Sequence, residues 1–179
     1  MMSTSPAYVE KPSMLSFNKS TAIVLVAMVA ATVVSVVVPA AADVFDDDRA
    51  AVGFGEILLR ALVVIPIGTV LVEELVFRGV LHGLLRRVMS SRSALIVGSA
   101  LFAAWHLFPA SRGSSDNAVA DAAGLPVLLG GTFLATFVAG VVFVWLRDRS
   151  DSLVAPVIAH IGTNSIPLVV AWVVGGGGS

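Results

Sequence analysis

Five polar residues lie within otherwise apolar stretches of this chain, and their side chains are of the kinds used in acid–base chemistry. Glu73 and Glu74 are adjacent, His106 and His160 lie farther along, and Asn164 follows His160 by four positions. A carboxylate can act as a general base, an imidazole can donate or accept a proton, and a carboxamide can donate a hydrogen bond without titrating. Together, these groups could activate water and stabilise a developing negative charge.

Helical spacing predicts different surroundings for the two adjacent carboxylates. Glu74 and Arg78 are four positions apart with the acid first, which favours an ion pair on one helix face. Glu73 shares its face with Phe77, so its carboxylate is left for a partner on another helix. A Glu–Arg pair of this kind could also do no more than stabilise its own helix.

The composition predicts that the apolar stretches lie in a membrane. Of the 179 residues, 57% are hydrophobic and only 13% are charged, whereas soluble domains carry roughly 25% charged residues. This excludes a soluble enzyme. The balance of 11 basic and 12 acidic residues offers no cationic surface for a nucleic-acid partner. Without cysteines, disulfides and Cys-based metal sites are excluded as well.

Apolar runs of about 20 residues predict an all-α, polytopic transmembrane helix bundle with about five spans. The predicted spans are residues 20–42, 61–85, 93–111, 122–146 and 152–174. Residues 51–64 are more polar, and we predict an amphipathic interfacial helix there. The predicted organisation is a cytoplasmic tail (1–19), a first transmembrane helix (20–42), an acidic outer loop with the interfacial helix (43–64), a core of four spans (65–174) and a Gly-rich tail or linker (175–179).

The distribution of basic residues predicts the orientation in the membrane. Two groups of loops face opposite sides, with Lys11, Lys19, Arg86, Arg87, Arg92, Arg147 and Arg149 on one side, and Arg49 and Arg112 on the other. This asymmetry predicts a cytoplasmic amino terminus and an external carboxyl terminus. His82 is assigned to the membrane interface without a functional role. The segment Ala40–Ala42 imitates a signal-peptide cleavage site, but the apolar run before it is too long, so we interpret it as a retained span.

Counting residues from the predicted turns indicates whether the polar groups can meet. Glu73 lies 17 residues before Ser90 and His106 lies 16 after it, so both are about 25 Å from that turn at ~1.5 Å per residue. His160 reaches the same level if the arginine-rich end of the first helix pair projects into the cytoplasm. Each histidine alone could be a packing residue, but their coincidence at one depth favours a shared functional site.

Three short motifs, in order, resemble those of a known family. Glu-Glu-Leu-Val-Phe-Arg at 73–78, Phe-Ala-Ala-Trp-His at 102–106 and His-Ile-Gly-Thr-Asn at 160–164 are similar to EExxxR, FxxxH and HxxxN. These motifs mark the CAAX-protease and bacteriocin-processing (CPBP, or Abi) family of intramembrane endopeptidases. The resemblance covers roughly residues 61–170. Each motif is weak alone, but three in order, within or next to apolar runs, are specific.

The resemblance implies a role for each motif residue. The catalytic set would be Glu73, His106, His160 and Asn164, and the supporting set Glu74, Arg78 and Phe102. Glu73 would be the catalytic carboxylate, and His106 would help it to hold and activate water. His160 and Asn164 would bind the oxyanion of the tetrahedral intermediate.

Family members are often described as metal-dependent, so zinc is the alternative cofactor. Glu73, His106 and His160 would form a two-His, one-carboxylate set with an open position for water. The general base would then have to be Glu74, which is expected to pair with Arg78. A glutamate mechanism without a metal or other cofactor is therefore favoured.

The resemblance predicts an integral membrane hydrolase, in a bacterial cell membrane, that cleaves membrane-associated peptides or proteins. A prenylated carboxyl terminus, a leader peptide and a regulatory membrane protein all remain open as substrates, and the oligomeric state is not predicted. The main alternative is a non-proteolytic scaffold or bacteriocin-immunity protein on the same fold. A transporter subunit with a proton-relay carboxylate is a third hypothesis.

Overall fold

A computed structural model describes residues 22–24, 26, 52–113, 121 and 123–175. The predicted all-α bundle is confirmed, because the regular elements of these residues are helices and none is a strand. Four helices are long and apolar enough to cross a membrane. They are α1 (Phe54–Val88), α2 (Ser91–Arg112), α3 (Leu125–Ser150) and α4 (Val154–Val174).

Helix α1 joins two segments that were predicted to be separate. The interfacial helix predicted at 51–64 and the span predicted at 61–85 form one continuous helix from Phe54 onward. Glu56 and Arg60 form an ion pair one turn apart, which lets two charged residues lie within a continuous helix. With 35 residues at ~1.5 Å each, α1 is about 50 Å long and exceeds the ~30 Å hydrocarbon core.

Hydrogen bonding within α1 alternates between α-type and wider π-type turns. The α-type stretches are Phe54–Leu59, Val72–Glu74 and His82–Val88, and the π-type stretches are Arg60–Leu71 and Leu75–Leu81. Pro66 lies in the first π-type stretch. Because proline has no N–H and its ring crowds the carbonyl one turn back, it disfavours regular α-helical bonding there. The two adjacent glutamates lie between the two π-type stretches.

Short turns connect the helices at the arginine-rich end of the bundle. Only Met89 and Ser90 separate α1 from α2, and Ser90 caps α2 by accepting a hydrogen bond from the Ser93 backbone N–H at 3.2 Å. Residues 151–153 separate α3 from α4, and Asp151 adopts the left-handed conformation (φ 50°) that ends a helix. The last three spans were predicted to within four residues of these bounds.

Pairwise packing assembles the bundle. Helix α2 packs mainly along α3, and the Arg60–Leu71 part of α1 packs along α4. A Cβ atom at Gly140 would lie 3.1 Å from the Ser99 Cα atom, so α2 and α3 are in close backbone contact there. The buried core between the helices consists of Phe77, Phe102, Phe143, Leu146, Ala155 and Ala159.

Little of the predicted first span belongs to the described residues. Residues 22–24 and 26 are helical, and Val24 packs against the core. The predicted tail at 1–19, the acidic loop beginning at 43 and residues 176–179 lie outside the described part of the chain. Large apolar side chains on the outer faces of the four helices are exposed, including Leu62, Phe108, Leu134 and Val173. Such a surface is suited to lipid.

Candidate active site

An ion pair buried between the helices forms the base of the site. Arg78 Nη1 donates to Glu74 Oε1 at 2.9 Å, and the two side chains are 1% and 0% exposed. The Arg78 guanidinium carbon also lies 4.0 Å from the Phe102 ring centre and 5.0 Å from that of Phe143. The buried cation therefore has both an anionic partner and two aromatic faces.

His160 extends this ion pair toward Glu73. Its Nδ1 atom lies 2.7 Å from Glu74 Oε1, and because the carboxylate oxygen accepts, Nδ1 carries the proton. The ring stacks on Phe143 with a centroid distance of 4.9 Å. This fixes the orientation of the imidazole and directs Nε2 toward Glu73 Oε2, 3.7 Å away.

His106 approaches the same oxygen from α2. Its Nδ1–H donates to the Phe102 carbonyl oxygen at 2.8 Å, one turn earlier on the helix. A neutral ring with the proton on Nδ1 presents an unprotonated Nε2, and this atom lies 3.8 Å from Glu73 Oε2. Both imidazoles thus have Nδ1 held by the protein and Nε2 directed at Glu73.

The two oxygens of the Glu73 carboxylate have different surroundings. Oε1 accepts a hydrogen bond from the Trp105 indole N–H at 3.1 Å. Oε2 is buried and has no hydrogen-bond partner among the described residues. Its distances of 3.7 and 3.8 Å to the two Nε2 atoms exceed a direct hydrogen bond and suit a contact bridged by one small polar molecule.

Asn164 lies one turn beyond His160 on α4 and is half-buried. Its Oδ1 atom accepts from the Thr163 hydroxyl at 3.4 Å, while Thr163 also donates to the His160 carbonyl at 2.8 Å. Within the described part of the chain, Asn164 makes no hydrogen bond to the Glu73 carboxylate. The structure therefore brings Glu73, Glu74, Arg78, Phe102, His106 and His160 into one connected group, with Asn164 beside it.

Sequence reasoning missed several contacts of this group. Trp105 lies inside the second motif and immediately precedes His106, which was the available signal for its proximity to Glu73. Phe143 had no such signal, because its position depends on the register of α3. His82 is also buried, with Nε2 3.3 Å from Asp148 Oδ1, a partner that the sequence did not indicate.

The donor set relevant to a metal is Glu73, His106 and His160. Their atoms are of the types that zinc accepts, and both rings present Nε2. Among the residues that the structure describes, however, no group of three histidine, cysteine or acidic side chains is arranged to hold a metal ion. The remaining carboxylate, Glu74, is already bonded to Arg78 and His160. We therefore assign no step to a metal.

Comparison with known protein families identifies a match over the part of the chain that contains this site. A family model described as "Type II CAAX prenyl endopeptidase Rce1-like" matches residues 55–166, which is more than half of the chain and includes all three motifs. No curated protein and no solved structure gave a significant match. With its four membrane-length helices, the chain is an integral membrane protein, and it belongs to the Rce1-like family of type II CAAX prenyl endopeptidases.

Proposed function

We propose that the protein is an intramembrane endopeptidase that hydrolyses peptide bonds of membrane-associated peptides or proteins. One observation carries the proposal: a buried carboxylate oxygen, Glu73 Oε2, faces the Nε2 atoms of two oriented imidazoles at 3.7 and 3.8 Å. Membership of a prenyl endopeptidase family supports the same class of reaction.

In the proposed reaction, Glu73 and His106 activate a water molecule. Water that donates one hydrogen to Glu73 Oε2 and the other to His106 Nε2 directs an oxygen lone pair at the substrate carbonyl carbon. Glu73 takes the first proton as the C–O bond forms, and it later delivers that proton to the leaving amine as the C–N bond breaks.

His160 and Asn164 are proposed to stabilise the oxyanion. Since His160 Nδ1–H is bonded to Glu74, donation from Nε2 to the oxyanion requires a ring with protons on both nitrogens. The Asn164 amide can donate without a change of protonation state. Glu74 and Arg78 would thus act by holding His160, and Phe102 by holding His106 and covering Arg78.

We favour a mechanism without a metal. If zinc were bound by Glu73, the only other carboxylate of the group would be Glu74, which is 0% exposed and held through Oε1 by Arg78 and His160. Stoichiometric zinc in the purified protein, lost together with cleavage on chelation, would contradict this choice.

The family description makes a farnesylated CAAX peptide the first probe, with the same peptide lacking the lipid and a leader peptide as comparisons. We also propose that the arginine-rich end faces the cytoplasm of a bacterial cell, because basic loops are retained on that side. Labelling of single cysteines at the two ends in intact cells and in lysed cells would test this orientation.

The decisive variant is Glu73→Gln, assayed in lipid nanodiscs with the fluorogenic farnesylated peptide. Glutamine keeps an oxygen for Trp105 and cannot take a proton, so we expect cleavage to fall about 10³-fold while the protein stays folded. Glu56→Gln makes the same change on the same helix outside the site and should retain the wild-type rate.

In membranes of producing cells, comparative proteomics should show one precursor accumulating with Glu73→Gln. Full proteolysis by Glu73→Gln would refute the mechanism, and a non-proteolytic scaffold would show no cleavage even as wild type.

A further inference from the structure

Trp105 contacts the carboxylate that the proposed reaction uses, although it occupies an unspecified position of the FxxxH motif. Its indole N–H donates to Glu73 Oε1 at 3.1 Å, although the side chain as a whole is 60% exposed on the outer face of α2. The next residue, His106, faces the other oxygen of the same carboxylate. Two consecutive residues of α2 therefore lie next to the two different oxygens of the Glu73 carboxylate.

A donor at Oε1 has a specific effect on Oε2. The terminal torsion of a glutamate side chain is broad and roughly two-fold, so an unheld carboxylate can rotate or exchange its two oxygens. With Oε1 bonded to the indole, Oε2 is the oxygen that lies between His106 and His160. The bond also satisfies an anionic oxygen where few other donors are present.

Indole suits this position for two chemical reasons. It donates one hydrogen bond and accepts none, so it cannot compete with Glu73 or the imidazoles for a proton of the water. The rest of the ring is apolar and can face lipid, whereas a lysine or arginine at this position would carry a charge there. The Trp105 ring also packs edge-on against Phe77, with centroids 6.3 Å apart, and Phe77 in turn packs against Phe102.

We propose that Trp105 is a positioning residue, whose indole N–H holds Glu73 Oε1 so that Oε2 faces the two imidazoles and the attacking water. This inference rests on the proposed function. It adds a residue that acts through Glu73 and does not itself exchange protons or bind the oxyanion.

The kinetic test is Trp105→Phe, which keeps an aromatic ring and removes the donor. We expect kcat for the farnesylated CAAX peptide to fall roughly 10- to 100-fold, the range for one hydrogen bond to a charged group, while KM stays unchanged. Trp172→Phe is the matched control, because that indole also donates, to the Val52 carbonyl at 2.8 Å outside the site. It should leave kcat at the wild-type value. Wild-type kcat in Trp105→Phe would overturn the proposal.

A second measurement does not depend on turnover or on the stability of Trp105→Phe. In ¹⁵N-tryptophan-labelled protein, the Trp105 indole resonance should shift upfield when Glu73→Gln replaces a carboxylate acceptor by an amide oxygen. The Trp172 resonance should stay in place in the same spectrum. A Trp105 resonance that does not respond to Glu73→Gln would refute the contact.

If the wild type cleaves none of the peptides, the proposed function has failed and the positioning role fails with it. Cleavage by the wild type and equally by Trp105→Phe would refute the positioning role alone.

Discussion

Two clusters of similar composition lie at different levels of the bundle. The buried cluster consists of Glu73, Glu74, Arg78, His106 and His160, and the end cluster consists of His82, Arg86, Arg147, Asp148 and Asp151. Both contain histidine, arginine and two carboxylates. Their difference shows which physical features, beyond residue type, make a group of charges suitable for catalysis.

In the end cluster, one oxygen of a partly exposed carboxylate contacts several basic side chains. Asp148 Oδ1 lies 3.3 Å from His82 Nε2, 3.4 Å from Arg86 Nη1 and 3.5 Å from Arg147 Nη1, and the Asp148 side chain is 33% exposed. These contacts are longer than those of the buried ion pair, although the His82 side chain among them is 1% exposed. Asp148 therefore forms partly exposed ion pairs, which contribute little to stability.

In the buried cluster, hydrogen bonds are short and each imidazole is held through Nδ1. The bonds from Arg78 and His160 to Glu74 are 2.9 and 2.7 Å long, whereas Glu73 Oε2 is left facing two Nε2 atoms. In the proposed reaction, Glu74 thus holds the geometry and Glu73 reacts. Among the described residues of the end cluster, no second carboxylate faces two oriented imidazoles in this way.

The largest expected difference between the clusters is in stability. Glu74→Ala leaves the buried Arg78 without its anion and should lower the free energy of unfolding by about 3–5 kcal/mol. Asp148→Ala, at a partly exposed position, should lower it by less than about 1 kcal/mol. Denaturation by SDS in mixed micelles, followed by circular dichroism, measures both. Equal losses for the two variants would show that burial does not distinguish the clusters.

A matched pair of histidine variants compares the clusters in activity. His160→Phe keeps a ring against Phe143 but removes a donor to the oxyanion, so we expect cleavage to fall about 10²–10³-fold. His82→Phe keeps a buried ring of similar size, and Asp148 keeps its contacts with Arg86 and Arg147. The rate of cleavage should therefore stay within about twofold of the wild type. Initial rates with the farnesylated peptide in nanodiscs test this. A large loss of activity in His82→Phe would extend the site to the end cluster.

Replacing both members of the buried ion pair together should cost less stability than replacing Glu74 alone. Glu74→Leu with Arg78→Met removes both charges at similar volume, and the free energy of unfolding should recover to within about 1–2 kcal/mol of the wild type. Cleavage should stay low, because His160 Nδ1–H has lost its acceptor. Recovery of both stability and cleavage would show that Glu74 serves the fold alone.

Much of this arrangement could be predicted from the sequence because helix geometry is regular. The Glu74–Arg78 pair follows from four-residue spacing, and the closeness of Glu73 and His106 follows from nearly equal counts, 17 and 16 residues, to the turn at Ser90. Contacts that depend on how helices rotate about their axes could not be predicted. The bonds from His160 to Glu74 and from Trp105 to Glu73 are of this kind. The spacing of residues along one helix does not determine which residues of a neighbouring helix they contact.

The continuity of α1 through residue 61 could not be predicted, for a related reason. Charged residues at 56 and 60 suggested a segment too polar to continue into a span, whereas their mutual ion pair makes them acceptable in one helix. A prediction that scores the polarity of each residue separately does not account for two opposite charges that pair with each other. By contrast, the ends at the arginine-rich turns were predicted closely, because proximity to several arginines and a capping serine marks them directly.

The short turns at 89–90 and 151–153 determine where chain length can vary. Adding one residue within the first half of α2 would rotate His106 by about 100° and carry it off the face of Glu73. The counts of 17 residues from Glu73 to Ser90 and 16 from Ser90 to His106 must therefore stay fixed. An epitope or reporter domain for locating the protein in cells belongs outside this stretch, where an insertion leaves both counts unchanged.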